Sequence, residues 1–159
     1  MSEVVISGFD DRFAEEFGRL NYEWIEKSYG VEPHDREVLD HPRSSVIEQG
    51  GEIFFALDNG RPIGTVAMIP LGDDSFELAK MAVAPEARGR GIGDLLMGAC
   101  IDLARTKGSR SIILESNTKQ EAAINLYRKF GFKEIPLDPD SHFERVNIRM
   151  ELAILGPNQ

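Results

Sequence analysis

The sequence predicts a three-layer α/β (α+β) fold, in which a mixed, mostly antiparallel sheet of six to seven strands is flanked by about four helices. Runs with the two-residue period of strands interleave with runs of helical period, in the order strand, two helices, three strands, helix, strand, helix, two strands. An Asn-Gly turn joins two strands as a hairpin, and one strand-helix-strand unit over residues 75–116 requires a parallel crossover. Because no repeat or linker interrupts the chain, residues 1–159 are predicted to form a single domain.

Size and composition are those of an ordinary globular protein. The chain has 159 residues, of which 42% are hydrophobic and 28% charged, so a core can form without disulfides or a structural metal. Its single cysteine, Cys100, lies in an apolar helical run and is predicted to be buried, in a reducing compartment. No apolar run approaches the roughly 20 residues that span a bilayer, so we expect a soluble, cytoplasmic protein. The net charge of −9 disfavours binding to nucleic acid or an anionic membrane.

The first third of the chain carries one strand and two helices. A short apolar run at Val4 to Ile6 predicts a strand. The segment after it places apolar side chains at helical spacing and ends at Gly30, which predicts an amphipathic helix. A second helix is predicted over 37–49, broken by Pro42.

The middle of the chain predicts a hairpin followed by the crossover unit. Strands over 52–58 and 62–70 flank the turn Asp58-Asn59-Gly60-Arg61, in which Asn-Gly supplies the positive φ angles of a tight turn. A further strand is predicted over 75–83, a helix over 92–107 ended by Gly108, and a buried strand over 111–116.

The last third predicts one helix and two strands. Thr118 and Glu121 have the spacing of a capping box, which predicts that Thr118 caps a helix ending at Gly131. The segments 132–136 and 145–154 complete the sheet.

The loop Arg88-Gly89-Arg90-Gly91-Ile92-Gly93 has the composition of an anion-binding site. It lies where a strand passes into a helix, and a helix N-terminus offers unpaired N–H groups and a partial positive charge. The glycines allow an anion to approach the main chain, and the arginines add charge. The loop lacks the Lys of a P-loop, and it follows three earlier strands, unlike a dinucleotide-binding loop.

The same residues resemble the [QR]-x-x-G-x-[GA] motif of the GNAT superfamily of N-acetyltransferases. The segment LAKMAVAPEARGRGIGDLLM resembles that family's fourth strand and following helix, and EAAINLYRKFGF resembles its last conserved helix. The resemblance is close over about 77–132 and implies that acetyl-CoA is the acyl donor, with its diphosphate on the main chain of 88–93. No metal is implied.

The resemblance also assigns roles along the strand and the last helix. The N–H of Met81 would face the thioester oxygen, and Ala82 and Val83 would lie along the pantetheine arm. Tyr127 would protonate the departing thiolate as general acid, with Ala123 one turn before it on the cofactor side. Side chains expected near the cofactor are those of Asn117 and of Gln120, which occupies the position of the family's usual asparagine. Either Lys129 or Arg128 would meet the 3′-phosphate.

Glu77 aligns with a strand glutamate that serves as general base in some members of the family. Strand alternation predicts that Glu77, Ala79, Met81 and Val83 share one face. The acceptor amine must lose a proton before attack, because an alkylamine has a pKa of about 10. Either Glu77 or a chain of water molecules would take that proton.

These features predict transfer of an acetyl group to a primary amine by direct attack in a ternary complex. No nucleophilic Ser or Cys motif is present. His34, His41 and His142 have no metal-ligand spacing and are predicted to lie on the surface. Two alternatives stay open: a non-catalytic acyl-CoA-binding or regulatory module, and an enzyme that binds another nucleotide. The acceptor, a small molecule or a protein amine, is not specified, and a homodimer is an expectation from the resemblance alone.

Overall fold

The computed structural model describes residues 3–141 and 143–154. Seven strands form one sheet in the order β1-β2-β3-β4-β5-β7-β6, with five α-helices around it in the described part of the chain, which confirms the predicted fold class. The strands are β1 (Val4–Ser7), β2 (Glu52–Asp58), β3 (Arg61–Leu71), β4 (Ser75–Val83), β5 (Ser111–Ser116), β6 (Lys133–Ile135) and β7 (Ile148–Ala153). The helices are α1 (Ala14–Ser28), α2 (Pro33–Asp40), α3 (Pro42–Ser45), α4 (Ile92–Thr106) and α5 (Glu121–Lys129).

Strand pairing follows the predicted topology. Every described pair is antiparallel except β4 with β5, which α4 connects as the predicted parallel crossover. The β2–β3 hairpin closes through Asn59 and Gly60, with φ of 51° and 83°, the left-handed conformations that a type I′ turn requires. Gly108, with φ of 70°, follows the end of α4 as predicted.

Two apolar clusters divide the core into layers. Helices α1 and α2 bury Phe17, Ile25 and Val38 against Phe55 and other sheet residues of one cluster. Helices α4 and α5 contribute to the other, in which the largest fully buried side chains include Leu96, Met97, Ile112 and Leu114. Adjacent strand residues such as Val66 and Ala67 belong to different clusters because side chains alternate across a sheet. Among the described residues, no helix is long and apolar enough to span a membrane.

One predicted helix start and one predicted helix cap are wrong. The second helix begins at Pro33 rather than residue 37 and ends at Asp40, because Glu32 and Asp35 form a capping box and Pro33 suits the first helical position. Helix α5 has no side-chain cap, and the hydroxyl of Thr118 instead accepts a hydrogen bond from Asn147 Nδ2 at 3.2 Å. The start of α2 is thus set by a local box of two acidic residues, whereas the hydroxyl of Thr118 is engaged by a residue 29 positions away.

A β-bulge in β4 overturns the predicted alternation. Ala79 pairs with Ala67 and Ala82 with Thr65, so Lys80 and Met81 together occupy the place opposite Val66. Lys80 adopts a left-handed conformation with φ of 56°. The extra residue reverses the face of every later side chain. Val83 therefore lies on the face opposite to Glu77 and Ala79, and the predicted common face is wrong.

Candidate active site

The two parallel strands separate, and the opening between them forms a cleft. β4 and β5 pair only from Ser75 with Ser111 to Glu77 with Ile113. Beyond that point β4 stays paired with β3 as far as Val83, and β5 stays paired with β7 as far as Ser116. Because both strands are followed by helices, the N-termini of α4 and α5 lie beside this opening. Ligands of α/β sheets commonly bind at the carboxyl ends of parallel strands.

The cleft has a volume of about 730 Å³ and gathers most of the residues singled out in the sequence. Thirteen of the fifteen predicted site residues line it: Glu77, Met81, Ala82, Val83, Arg88, Gly89, Gly91, Ile92, Gly93, Asn117, Gln120, Ala123 and Tyr127. Residues separated by up to 50 positions in the chain thus share one cavity.

The glycine loop has the backbone of an anion cradle. Gly89 and Gly91 have φ of 80° and 76°, and Gly91 is the residue from which α4 begins. The first turn of α4 therefore directs its unpaired N–H groups toward the cleft. A Cβ on Gly93 would lie 3.1 Å from Leu126 Cδ2 of α5, so this glycine preserves the width of the cleft. These features fit the diphosphate of a nucleotide cofactor.

Arg90 and Lys129 do not line the cleft. Arg90 forms an ion pair with Asp58 at the β2–β3 turn, with 3.0 Å between Nη1 and Oδ2. Lys129 pairs with Asp94, which itself lines the cleft in the first turn of α4. Arg88 is the arginine of the loop that faces the cleft.

Glu77 and Met81 lie at successive depths of the opening. Glu77 belongs to the last pair that joins β4 to β5, so its half-buried side chain stands at the vertex. Met81 follows the left-handed Lys80 in the bulge, where β4 no longer has β5 beside it. The main chain of β4 is therefore accessible from the cleft over residues 78–83.

Tyr127 projects from α5 into the same cavity. The residue is 7% exposed and its ring packs against Phe132, with centroids 5.8 Å apart. Burial raises the pKa of Tyr127 to about 12, with a smaller contribution from Cys100. Its hydroxyl therefore keeps its proton at neutral pH.

Asn117 and Gln120 make protein contacts across the site. Asn117 donates from Nδ2 to the carbonyl of Arg145 at 2.7 Å, and its Oδ1 accepts from the N–H of Lys119 at 2.9 Å. Gln120 Nε2 donates to the Tyr29 hydroxyl at 3.1 Å, which links the start of α5 to the residue after α1 across the cleft.

A buried ion network on the cleft wall was not anticipated from the sequence. Lys80, Phe143 and Arg145 line the cleft, and both cations pair with the fully buried Asp35 of α2. Arg145 also forms an ion pair with Glu32, with 3.1 Å between Nη1 and Oε2. The available signal was a lysine within residues 78–83, which are otherwise apolar. Asp35 lies 45 residues from Lys80 and 110 residues from Arg145 along the chain, too far for a sequence pattern to join them.

Cys100, His34 and His41 lie outside the cleft. Cys100 is fully buried in α4, and burial raises the pKa of its thiol far above the usual range. His34 contacts Glu37 and the Phe143 ring, His41 is exposed, and His142 lies outside the described residues. Within the ranges that the structure describes, no three His, Cys, Asp or Glu side chains group as metal ligands.

Comparison with known sequences identifies the family. The model of the acetyltransferase (GNAT) family matches residues 18–132. The chain is 34% identical over 101 residues to the "Probable N-acetyltransferase camello" of Xenopus tropicalis, covering 62% of this chain and 46% of the relative. It is 27% identical over 113 residues to N-acetyltransferase 8B of Rattus norvegicus, covering 68% of this chain and 51% of the relative. The chain thus spans about half the length of these relatives.

Solved structures share the fold over nearly the whole chain. A GNAT-family acetyltransferase from Staphylococcus aureus superposes with a TM-score of 0.86 at 20% identity, covering 96% of this chain and all of the other. The protein yncA of Salmonella typhimurium, solved with its cofactor acetyl-CoA, superposes with a TM-score of 0.73 at 18% identity, covering 95% of this chain and 94% of the other. On the family match over residues 18–132, the chain belongs to the GNAT family of acetyltransferases.

Proposed function

We propose that this domain transfers the acetyl group of acetyl-CoA to a primary amine by direct attack in a ternary complex. The observation that carries the proposal is the separation of β4 from β5 beyond Glu77 and Ile113. It leaves the β4 main chain facing a cavity that runs from the glycine loop to Tyr127. The names of the curated relatives, N-acetyltransferases, support an amine as acceptor.

The donor end of the cleft is built for a diphosphate. The N–H groups at the start of α4, the left-handed Gly89 and Gly91, and the side chain of Arg88 would hold it. Arg90 and Lys129 are paired with Asp58 and Asp94, so we assign them to the loop's structure rather than to phosphate binding. When bound, acetyl-CoA supplies an activated acetyl thioester.

Met81 is the proposed donor to the thioester oxygen. An N–H group held where negative charge develops stabilises the transition state by about 3 kcal/mol. The bulge frees this part of β4 from regular pairing, so its main-chain direction is fixed by the left-handed Lys80 beside it. Ala82 and Val83 continue the same wall toward the glycine loop.

Tyr127 is the proposed general acid. The raised pKa of its hydroxyl keeps the proton available in the working pH range, and the side chain lines the cleft beside the main chain of β4. The departing alkyl thiolate has a conjugate-acid pKa of about 8.5, below the pKa of Tyr127, so full proton transfer is uphill and the hydroxyl assists by donating a hydrogen bond to the sulfur as negative charge develops on it. General acid assistance of this kind contributes about a hundredfold to the rate.

Proton removal from the acceptor amine is assigned to Glu77 or to water that its carboxylate orders. Glu77 stands at the vertex of the opening and is within electrostatic range of Lys80. An ionised carboxylate at this position can accept a proton from the amine or from an intervening water. No acyl-enzyme is invoked, because Cys100 is fully buried in α4.

Initial-rate kinetics with a panel of primary amines tests the proposal. We expect amine-dependent release of the CoA thiol, with intersecting double-reciprocal lines when both substrates are varied. Parallel lines would instead require an acyl-enzyme. CoA binding without thiol release for any amine would favour a non-catalytic module.

Thermal shifts with CoA, ATP and NAD test the donor site independently. A ligand at about 100 times its dissociation constant stabilises the fold by about 2.7 kcal/mol. We expect CoA to stabilise the protein, and stabilisation by ATP alone would overturn the assignment of the loop.

A further inference from the structure

The structure assigns Asp35 as a positioning residue: its buried carboxylate holds the β4 bulge in its left-handed form and thereby aims the N–H of Met81 into the cleft. This inference rests on the proposed function, because it concerns the site of acetyl transfer. The backbone at Lys80 in β4 adopts a conformation that a residue with a side chain does not favour.

The bulge holds a residue with a Cβ in a conformation that glycine normally supplies. Lys80 has φ of 56°, and together with Met81 it occupies the place of one residue opposite Val66. Left-handed conformations are disfavoured for residues with a side chain, so they persist where surrounding contacts determine them. For Lys80, those contacts are made by its side chain.

The lysine side chain runs from the sheet to α2 and is held there. Its Nζ lies 2.5 Å from Asp35 Oδ1 and 4.4 Å from the centroid of the Phe143 ring, and the side chain is 7% exposed. A change in the bulge dihedrals would withdraw the ammonium from both partners. The geometry of the main chain and the ion pair are therefore coupled.

Asp35 is placed to act as an anchor because its own position is fixed from several sides. Both guanidinium nitrogens of Arg145 donate to it, at 2.7 and 2.9 Å, and the N–H of Glu32 donates to Oδ2 at 2.9 Å. Burial alone would raise the pKa of Asp35, but the hydrogen bonds from Arg145 and Lys80 outweigh it and hold the pKa well below the usual range. The carboxylate is thus ionised and fully hydrogen-bonded at neutral pH.

The charges of the network balance. Lys80 and Arg145 are matched by Asp35 and Glu32, all four partly or wholly buried. Neutralising Asp35 leaves Lys80 without its hydrogen-bonded carboxylate on α2, with Glu77 of its own strand as an acidic neighbour, which removes the reason for Lys80 to reach toward α2. We expect the bulge to relax, and the Lys80–Met81 peptide to turn, while the glycine loop keeps its shape.

Asp35→Asn, which keeps the size of the side chain, tests the inference against Asp40→Asn on the same helix. Asp40 accepts a hydrogen bond from the Tyr22 hydroxyl at 2.6 Å and does not line the cleft, so it is a matched control. We expect Asp35→Asn to lower kcat at least about tenfold, as loss of a well-placed donor does, with KM for acetyl-CoA within about twofold of wild type. Asp40→Asn should change neither. An unchanged kcat, or a KM that rises in proportion to the loss, overturns the inference.

A spectroscopic measurement separates this inference from the proposed function. The chain has five methionines, so a protein labelled with 15N-methionine gives a simple spectrum. In it, the Met81 amide resonance reports the bulge directly, without any substrate. Asp35→Asn should shift it and Asp40→Asn should not. An unmoved Met81 resonance refutes the positioning role even if the enzyme is inactive. If Asp35→Asn shifts the Met81 resonance while the wild-type protein acetylates no amine, the positioning role is correct and the proposed function is wrong.

A charge-balanced double variant excludes simple destabilisation. Asp35→Asn with Lys80→Met removes one charge of each sign, so Arg145 and Glu32 remain paired and the fold should recover stability. If Asp35 acts only by neutralising charge, kcat recovers with stability. The positioning role predicts that kcat stays low, and the double variant also serves if the single variant does not fold.

Discussion

Gly91→Ala isolates the conformational requirement of the glycine loop. Gly91 has φ of 76° at the start of α4, and a Cβ built on it would come no closer than 3.9 Å, to Asp94 Oδ2. Space for the methyl group is therefore available, and only the left-handed backbone opposes the substitution. That conformation costs about 1–2 kcal/mol for a residue with a Cβ.

The penalty must appear in one of two measurable places. If the loop keeps its shape, the variant unfolds more easily by about 1–2 kcal/mol, a Tm loss of about 2–8 °C for a domain of this size. If the loop relaxes in the free protein, the same energy is lost when CoA binds, which weakens Kd by about 5–30-fold.

Urea unfolding and calorimetric titration with CoA together measure the sum. The matched control is Gly98→Ala in the same helix, where no atom lies within 4 Å of an added Cβ. That change should stabilise the protein by about 0.5–1 kcal/mol and leave CoA binding unchanged. If Gly91→Ala alters neither stability nor Kd by more than about 0.3 kcal/mol, less than a third of the smallest expected penalty, the loop does not require its left-handed glycine.

Four further predictions concern the chemistry and the core. Tyr127→Phe should lower kcat about tenfold or more with little change in KM for acetyl-CoA. Because the wild-type pKa is about 12, the ratio of the two rates should stay constant from pH 7 to 10, and a ratio that falls across this range would contradict the assignment. Glu77→Gln should reduce kcat/KM for the amine across pH 6 to 9, whereas normal activity would transfer the base role to water. Asp35→Asn should cost about 3–5 kcal/mol of stability at pH 7. Since the folded pKa of Asp35 is depressed, its contribution is present above the unfolded value of about 3.9 and is lost as pH falls, so urea unfolding at pH 3 should show a smaller difference. Cys100 should react with Ellman's reagent only after unfolding, and Cys100→Ala should retain activity; a reactive native thiol would contradict its burial.

Local patterns predicted the elements that depend on local energetics. The Asn59-Gly60 turn and the glycine that follows α4 were predicted because each needs a positive φ that few residue types adopt. The strand-helix-strand crossover followed from the change of hydrophobic period. Helix starts were less predictable: α2 begins at Pro33 through a capping box of two acidic residues, and α5 begins without the cap that Thr118 was expected to provide.

The candidate site could be predicted where a sequence motif determines the backbone conformation, but not where it depends on which charged side chains form ion pairs. The loop sequence drew attention to Arg88 and Arg90 equally, but only the fold placed Asp58 beside Arg90 and left Arg88 in the cleft. Likewise, the ion pair of Lys129 on α5 with Asp94 on α4 could not be predicted from the sequence. Ion pairing depends on distance in space, which sequence separation does not give.

By itself, the sequence determined the order of elements, the glycines of the loop at 88–93 and the family to which the chain belongs. Only the tertiary structure decided how β4 departs from regular pairing and what holds that departure in place. The reason is physical: periodicity and glycine preference act over a few neighbouring residues. The bulge at Lys80 is stabilised by Asp35 and Arg145, which come near it only after the sheet, α2 and the segment before β7 have packed together.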